Sequence, residues 1–138
     1  ASVALTLTGL ACMSAEAETK VKLGEKMPDF TLEGIDGKEY TLSKVLEKGP
    51  VVLIFSSQEC PYSRKADPVL SKLHKSYKDK GVTFLSIDSH KSTTQEEIKA
   101  YAEETELSYV VLKDTGNSYA DKVGATRTPE IFLVGKDA

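Results

Sequence analysis

Val51-Val52-Leu53-Ile54-Phe55-Ser56-Ser57-Gln58-Glu59-Cys60-Pro61-Tyr62-Ser63-Arg64 decides how this chain is read. Five apolar residues in a row are the pattern of a central strand buried on both faces. A short polar stretch follows, then Pro61, which suits the first turn of a helix. The spacing predicts that helix from about Pro61 to Lys80, with Val69, Leu70, Leu73 and Tyr77 as its apolar stripe, a kink at Pro68 and a stop at Gly81. Cys60 therefore stands at a strand-to-helix junction, where free backbone N–H groups and the helix dipole favour a thiolate. Arg64, one turn on, would add positive charge, and Glu59 beside the thiol would oppose it. A buried, inert cysteine is the bland alternative; the junction favours a working thiol.

Outward from this stretch, strands and helices alternate, which argues for one α/β domain. Pro28–Leu32 and Glu39–Leu42 read as two short strands about a turn at Asp36-Gly37, and Ser43 as the cap of a short helix through Val45 and Leu46. Val82–Ile87 is a strand. Thr94-Gln95-Glu96-Glu97 forms a capping box for a helix with Ile98, Tyr101 and Ala102 on one face. Tyr109–Leu112 is a third strand of the body, Asp114–Val123 a loop and short helix, and Glu130–Val134 a fourth strand.

The chain has 138 residues, 40% hydrophobic and 28% charged, as expected of one globular domain. A net charge of −3 with no basic block gives no footing for nucleic acid. Two cysteines, Cys12 and Cys60, make no disulfide framework. Residues 1–15 carry no charge, and Ala15-Glu16-Ala17 has the small-x-small pattern of a signal-peptidase site. We expect a partial export signal over 1–17, a polar linker over 18–26 and the folded domain over 27–138, with export to a periplasmic or other extracytoplasmic space. A packed N-terminal helix is the alternative for the first segment. Gly9-Leu10-Ala11-Cys12 makes a lipid anchor through Cys12 the lesser alternative to cleavage after Ala17.

Cys-Pro-x-Ser at positions 60–63, with Pro68 eight residues after the cysteine, resembles the thioredoxin-like superfamily, whose members carry Cys-x-x-Cys at this junction. Thr128-Pro129 before Ile131–Val134 looks like the superfamily's cis-proline and following strand. Gly24–Leu32 with Asp36-Gly37-Lys38 resembles its redoxin branch, which holds the AhpC/TSA and TlpA-like exported thiol-disulfide oxidoreductase families. The likeness runs from about Leu23 to Asp137. It implies a thioredoxin-like α/β fold: a central mixed sheet flanked by helices, an N-terminal β-hairpin extension, and a C-terminus that lacks a further strand and helix.

The resemblance implies that Cys60 is the reacting group, Pro129 presses backbone against its sulfur, and Pro61, Tyr62, Arg64, Arg127 and Thr128 contact substrate. The second cysteine of the redox pair is replaced by Ser63, whose hydroxyl could hydrogen-bond the sulfur without resolving an intermediate. Leu53 stands where peroxiredoxins place proline, and Arg127 lies close to their arginine without aligning. Arg64 stands where copper-delivery relatives carry a further cysteine, so no metal ligand set is read, and no cofactor. The expectation is an exported monothiol thiol-disulfide oxidoreductase whose mixed disulfide or sulfenic acid is resolved by an external thiol or exchanged with a disulfide-bearing client. A peroxiredoxin-like peroxidase and a non-catalytic peptide-binding module are the alternatives. Ser56, Asp88, Ser89, His90, Arg127 and Pro129 are expected near Cys60 at the sheet's carboxyl edge. His90 reads as a solvated loop residue, His74 as structural, and Asp121 and Lys122 as surface charges.

Overall fold

The computed structural model describes residues 21–136, so the expectations for 1–17, including Cys12, and for the first three residues of the linker lie outside the described residues. The described chain runs β1 (Thr31–Gly34), β2 (Glu39–Thr41), α1 (Leu42–Leu46), β3 (Val51–Ser56), α2 (Pro61–Tyr77), β4 (Thr83–Asp88), α3 (Gln95–Glu104), β5 (Val110–Lys113), α4 (Ser118–Val123) and β6 (Glu130–Val134). Short 3₁₀ turns follow α2 at Lys78–Lys80 and precede α4 at Thr115–Asn117.

One six-stranded mixed sheet has the order β2-β1-β5-β4-β3-β6. Strands β3, β4 and β5 are parallel; β6 pairs antiparallel with β3, and β1 joins antiparallel to β5. The expected N-terminal hairpin is β1–β2, in register at Leu32 and Tyr40. Gly37 lies in its turn with φ 77°, a left-handed conformation in which a side chain is disfavoured.

Two apolar clusters hold the sheet, one on each face. Leu53, Phe55, Leu85, Ile87 and Leu112 join Met27, Phe30, Leu42, Tyr119 and Val123 in the larger. Ile54, Leu70, Phe84 and Tyr109 form the smaller beneath α2. Burying side chains of this kind stabilises by about 1.5–3 kcal/mol each. The Val21 N–H donates to the Val123 carbonyl at 3.2 Å, and Met27, the first residue of the expected domain, is buried.

The expected stripe on α2 is corrected. Val69 is 67% exposed, Leu73 44% and Tyr77 42%, and the buried face carries Ser63, Asp67, Leu70 and Ser71. The inward polar groups are all engaged. Asp67 accepts from the hydroxyls of Tyr101 (2.6 Å) and Tyr109 (3.1 Å), and the Ser71 carbonyl accepts from Ser108 Oγ (3.1 Å). His74 sits beside Phe84, its Nδ1 2.8 Å from Ser108 Oγ, and burial lowers its pKa. The helical assignment of α2 continues through Pro68, which is exposed. Ser43 is likewise not a cap. Thr41 precedes α1, and Ser43 binds the Asp29 carboxylate through its N–H (2.9 Å) and Oγ (2.7 Å). The capping box on α3 forms as expected, with Glu97 N–H to Thr94 Oγ1 at 3.2 Å and Thr94 N–H to the Glu97 carboxylate at 2.7 Å.

Candidate active site at the N-terminus of helix α2

Cys60 is the N-cap of α2, in extended conformation (φ −93°, ψ 119°), with Pro61 opening the helix. The turn before it is fixed by Cys60 N–H to the Ser57 carbonyl (3.0 Å), and the helix begins with Arg64 N–H to the Cys60 carbonyl (3.1 Å). The thiol is half-buried and is the one free cysteine among the described residues. Its pKa is held below the ordinary thiol value. A hydrogen bond from the Thr128 side chain contributes most, the Ser63 backbone N–H next, and the Tyr62 N–H and Ser63 hydroxyl add smaller amounts. Partial burial of the sulfur works in the other direction. As a thiol, Cys60 Sγ donates to the Thr128 carbonyl at 3.3 Å.

Ser63 is fully buried on the first turn of α2, and its Oγ accepts from the Ser57 N–H at 3.3 Å. That bond locks the β3–α2 loop in place with the residue that stands in the second-cysteine position. Thr128 arrives from the α4–β6 loop, and the Thr128–Pro129 peptide is cis. Thr126 N–H donates to the Glu130 carboxylate at 3.0 Å and closes this loop on itself.

Arg64 packs against α3. Its guanidinium lies over the Tyr101 ring, 5.2 Å from the centroid, and it is not among the groups that shift Cys60. A stacked guanidinium gains contact with the ring face, which the sequence spacing alone does not show. Tyr62 is 72% exposed and reaches Cys60 through its backbone only.

Cys60 lies in a groove of about 850 Å³ between four loop regions. Glu59 and Cys60 come from the β3–α2 loop, Ser89–Ser92 from the β4–α3 loop, Asn117 and Asp121 from the start of α4 and the turn before it, and Thr126–Thr128 from the α4–β6 loop. Phe55, Ile87, Ala120 and Ala125 supply its apolar part. Ser56, Ser89, His90 and Arg127 thus meet Cys60 as the strand-end argument expects. Asp88 does not. It is buried, paired with Lys113 Nζ at 3.2 Å, and faces a separate water-sized cavity with Asp67 and Gln58. Burial raises its pKa. Gln58 Oε1 is buried there without a protein partner. His90 lines the groove, with Nδ1 2.9 Å from Thr93 Oγ1 and 3.1 Å from Ser92 Oγ. Asp121, expected as a plain surface charge, is a groove residue, as are Lys91 and Asn117, which sequence reasoning passed over. Their one signal was position in loops that follow parallel strands.

The thiol's poise carries a direct test. Thr128→Val removes the largest contribution to the lowered pKa, so the midpoint of Cys60 alkylation against pH moves up. Alkylation at neutral pH slows several-fold with the thiolate fraction, read by iodoacetamide kinetics. For the native protein the midpoint lies below that of a free cysteine. A group with a depressed folded pKa stabilises the fold fully above its unfolded pKa and loses that contribution as pH falls from there through the folded value.

Among the described residues no group of three or more His, Cys, Asp or Glu is placed to hold a metal, and no helix is long and apolar enough to cross a membrane. Residues 23–138 match the model of the AhpC/TSA family. The chain is 29% identical over 120 residues to the thiol-disulfide oxidoreductase ResA of Bacillus thuringiensis, covering 87% of this chain and 68% of that protein. It is 31% identical over 103 residues to the chloroplastic peroxiredoxin Q of Suaeda salsa, covering 75% and 47%. The solved structure of an uncharacterized conserved protein from Geobacillus kaustophilus superposes with a TM-score of 0.80 at 28% identity, over 84% of this chain and 65% of that one. The thioredoxin-like sheet, the cysteine at its helix junction and the family match agree: the chain belongs to the AhpC/TSA family.

Proposed function

We propose that this protein is a thiol-disulfide oxidoreductase that works through Cys60 alone. The observation that carries the proposal is a half-buried thiol with lowered pKa, set in a groove, with buried Ser63 in the place of a second cysteine. The names of the ResA relatives support disulfide exchange as the chemistry. The Cys60 thiolate attacks one sulfur of a disulfide, the S–S bond breaks, and the departing thiolate takes up a proton. Cys60 is left as a mixed disulfide, and an external thiol attacks it and restores the thiolate.

In this proposal Ser63 holds the loop and donates to the thiolate, Thr128 tunes it, and Pro129 shapes the backbone opposite the sulfur. Pro61 and Tyr62 present the helix start, and Arg127 lines the groove. Arg64 keeps a packing role on Tyr101. The proposal includes an export signal over 1–17, a linker from 18 to 26, and work outside the cytoplasm, with lipidation at Cys12 as the lesser alternative.

The test is to restore the missing thiol. In Ser63→Cys, a preformed Cys60 mixed disulfide expels its bound thiol without added reductant, leaving an internal disulfide between Cys60 and the introduced thiol. The native protein keeps the bound thiol until an external one is added. Intact mass against time distinguishes them, and release from the native protein at the variant's rate would overturn the monothiol mechanism. A peroxidase reading draws on the peroxiredoxin Q relative; peroxide consumption outpacing disulfide exchange would favour it.

A further inference from the structure

We infer that the Cys60 groove takes a small zwitterionic disulfide, one whose halves each bear carboxylate and ammonium groups. This deepens the thiol-disulfide proposal and rests on it. Its volume of about 850 Å³ lies within the range of small-ligand sites, roughly 300–1,000 Å³. Charges of both signs line it, each from a different part of the chain: Glu59 beside the cysteine, Lys91 after β4, Asp121 on α4 and Arg127 before β6. The signs balance, two against two. A purely anionic ligand would meet the carboxylates of Glu59 and Asp121. An uncharged one would leave all four charges unused. A ligand with both signs matches both pairs, whereas a purely anionic one meets like charge and an uncharged one forgoes the attraction of four exposed groups.

The remaining lining fits the same ligand class. Phe55, Ile87, Ala120 and Ala125 offer apolar surface to the methylene carbons beside the sulfurs. Asn117 Nδ2 is tied to Asp121 Oδ1 at 2.7 Å, which holds that carboxylate in place. Ser57, Ser92 and Thr126 add hydroxyls for amide or carboxylate groups. Attack by Cys60 releases one half as a thiol and leaves the other half on Cys60. An external thiol then attacks the mixed disulfide, the second half leaves joined to that thiol as a new disulfide, and Cys60 returns as the thiolate. Each cycle exchanges one disulfide and one thiol for another disulfide and thiol, with no net change of oxidation state.

The experiment compares three disulfides with the native protein: glutathione disulfide (both signs), dithiodipropionate (carboxylates only) and bis-hydroxyethyl disulfide (uncharged). The rate of mixed-disulfide formation at Cys60 is measured by mass for each. It is divided by the rate of the same disulfide with N-acetylcysteine, which removes intrinsic leaving-group differences. The expected normalised preference for glutathione disulfide is about tenfold over each of the others, the size of a few exposed charge contacts. It falls in Lys91→Ala/Arg127→Ala and in Glu59→Gln/Asp121→Asn, and it shrinks in high salt. Equal normalised rates for the three disulfides would overturn the zwitterion inference and leave the oxidoreductase proposal standing. A preference that neither salt nor the four substitutions alter would do the same. No reaction of Cys60 with any disulfide would sink the oxidoreductase proposal itself.

Discussion

Cys60→Ser abolishes disulfide exchange, with turnover falling on the order of 10³-fold or more. A serine hydroxyl in the same place keeps the helix start and the Pro61 turn but offers no thiolate near neutral pH. The groups that favour the anion, namely the Thr128 side chain, the Ser63 N–H and the start of a 17-residue helix, then have nothing to stabilise. The circular dichroism spectrum and Tm of the variant stay near those of the native protein, because Cys60 is half-buried and contributes little to either apolar cluster. Binding of a client peptide that persists in Cys60→Ser, with no exchange in the native protein, would favour the peptide-binding module instead.

The largest structural effect falls on a residue outside the thiol chemistry. Asp114→Ala destabilises the domain by about 4 kcal/mol, lowering Tm by roughly 10 °C. Asp114 is fully buried just beyond β5. Its carboxylate accepts from Ser89 Oγ (2.8 Å), Ser118 Oγ (3.2 Å), Tyr119 N–H (3.0 Å) and Ala120 N–H (3.0 Å). Alanine leaves two backbone donors of α4 buried without partners and frees Ser89 from the groove wall. Asp114→Asn keeps one acceptor oxygen and loses about half as much. Thermal unfolding measures both, and an unchanged Tm in Asp114→Ala would contradict this account of how α4 is held.

Much of the architecture was legible in the chain. Val51–Phe55 is apolar throughout because β3 lies between β4 and β6 with helix or cluster on both faces, and the pattern shows that directly. The Thr94–Glu97 box and the Asp36-Gly37 turn are local, so a few residues suffice to reveal them. The face of α2 was not legible, since Ser63, Asp67 and Ser71 turn inward. The partners of Asp67 and Ser71, namely Tyr101, Tyr109 and Ser108, lie more than thirty positions away in sequence. A periodicity that counts apolar residues selects Val69, Leu73 and Tyr77 instead, which are exposed in the described structure.

The site divides in the same way. The junction at Cys60, and the arrival of Thr128 beside it, were legible from spacing and resemblance. The direction of the Cys60 pKa shift was not, because it depends on the Thr128 side chain, which comes from 68 residues away. Arg64 and Asp121 exchanged their expected places, one leaving the thiol for Tyr101 and the other joining the groove. Asp88 went to the buried pair with Lys113 for a reason of depth, since its side chain points under the sheet edge toward the small cavity. Charge and position in sequence do not report which way a side chain faces at the end of a strand.

The central claim is that Cys60 is a thiolate nucleophile that works without a partner cysteine in its motif. Intact-mass analysis of the native protein after brief exposure to a small disulfide tests it most directly. The account predicts one adduct per chain, on Cys60, absent in Cys60→Ser and removed by added thiol. An unmodified Cys60 after the same exposure would contradict it.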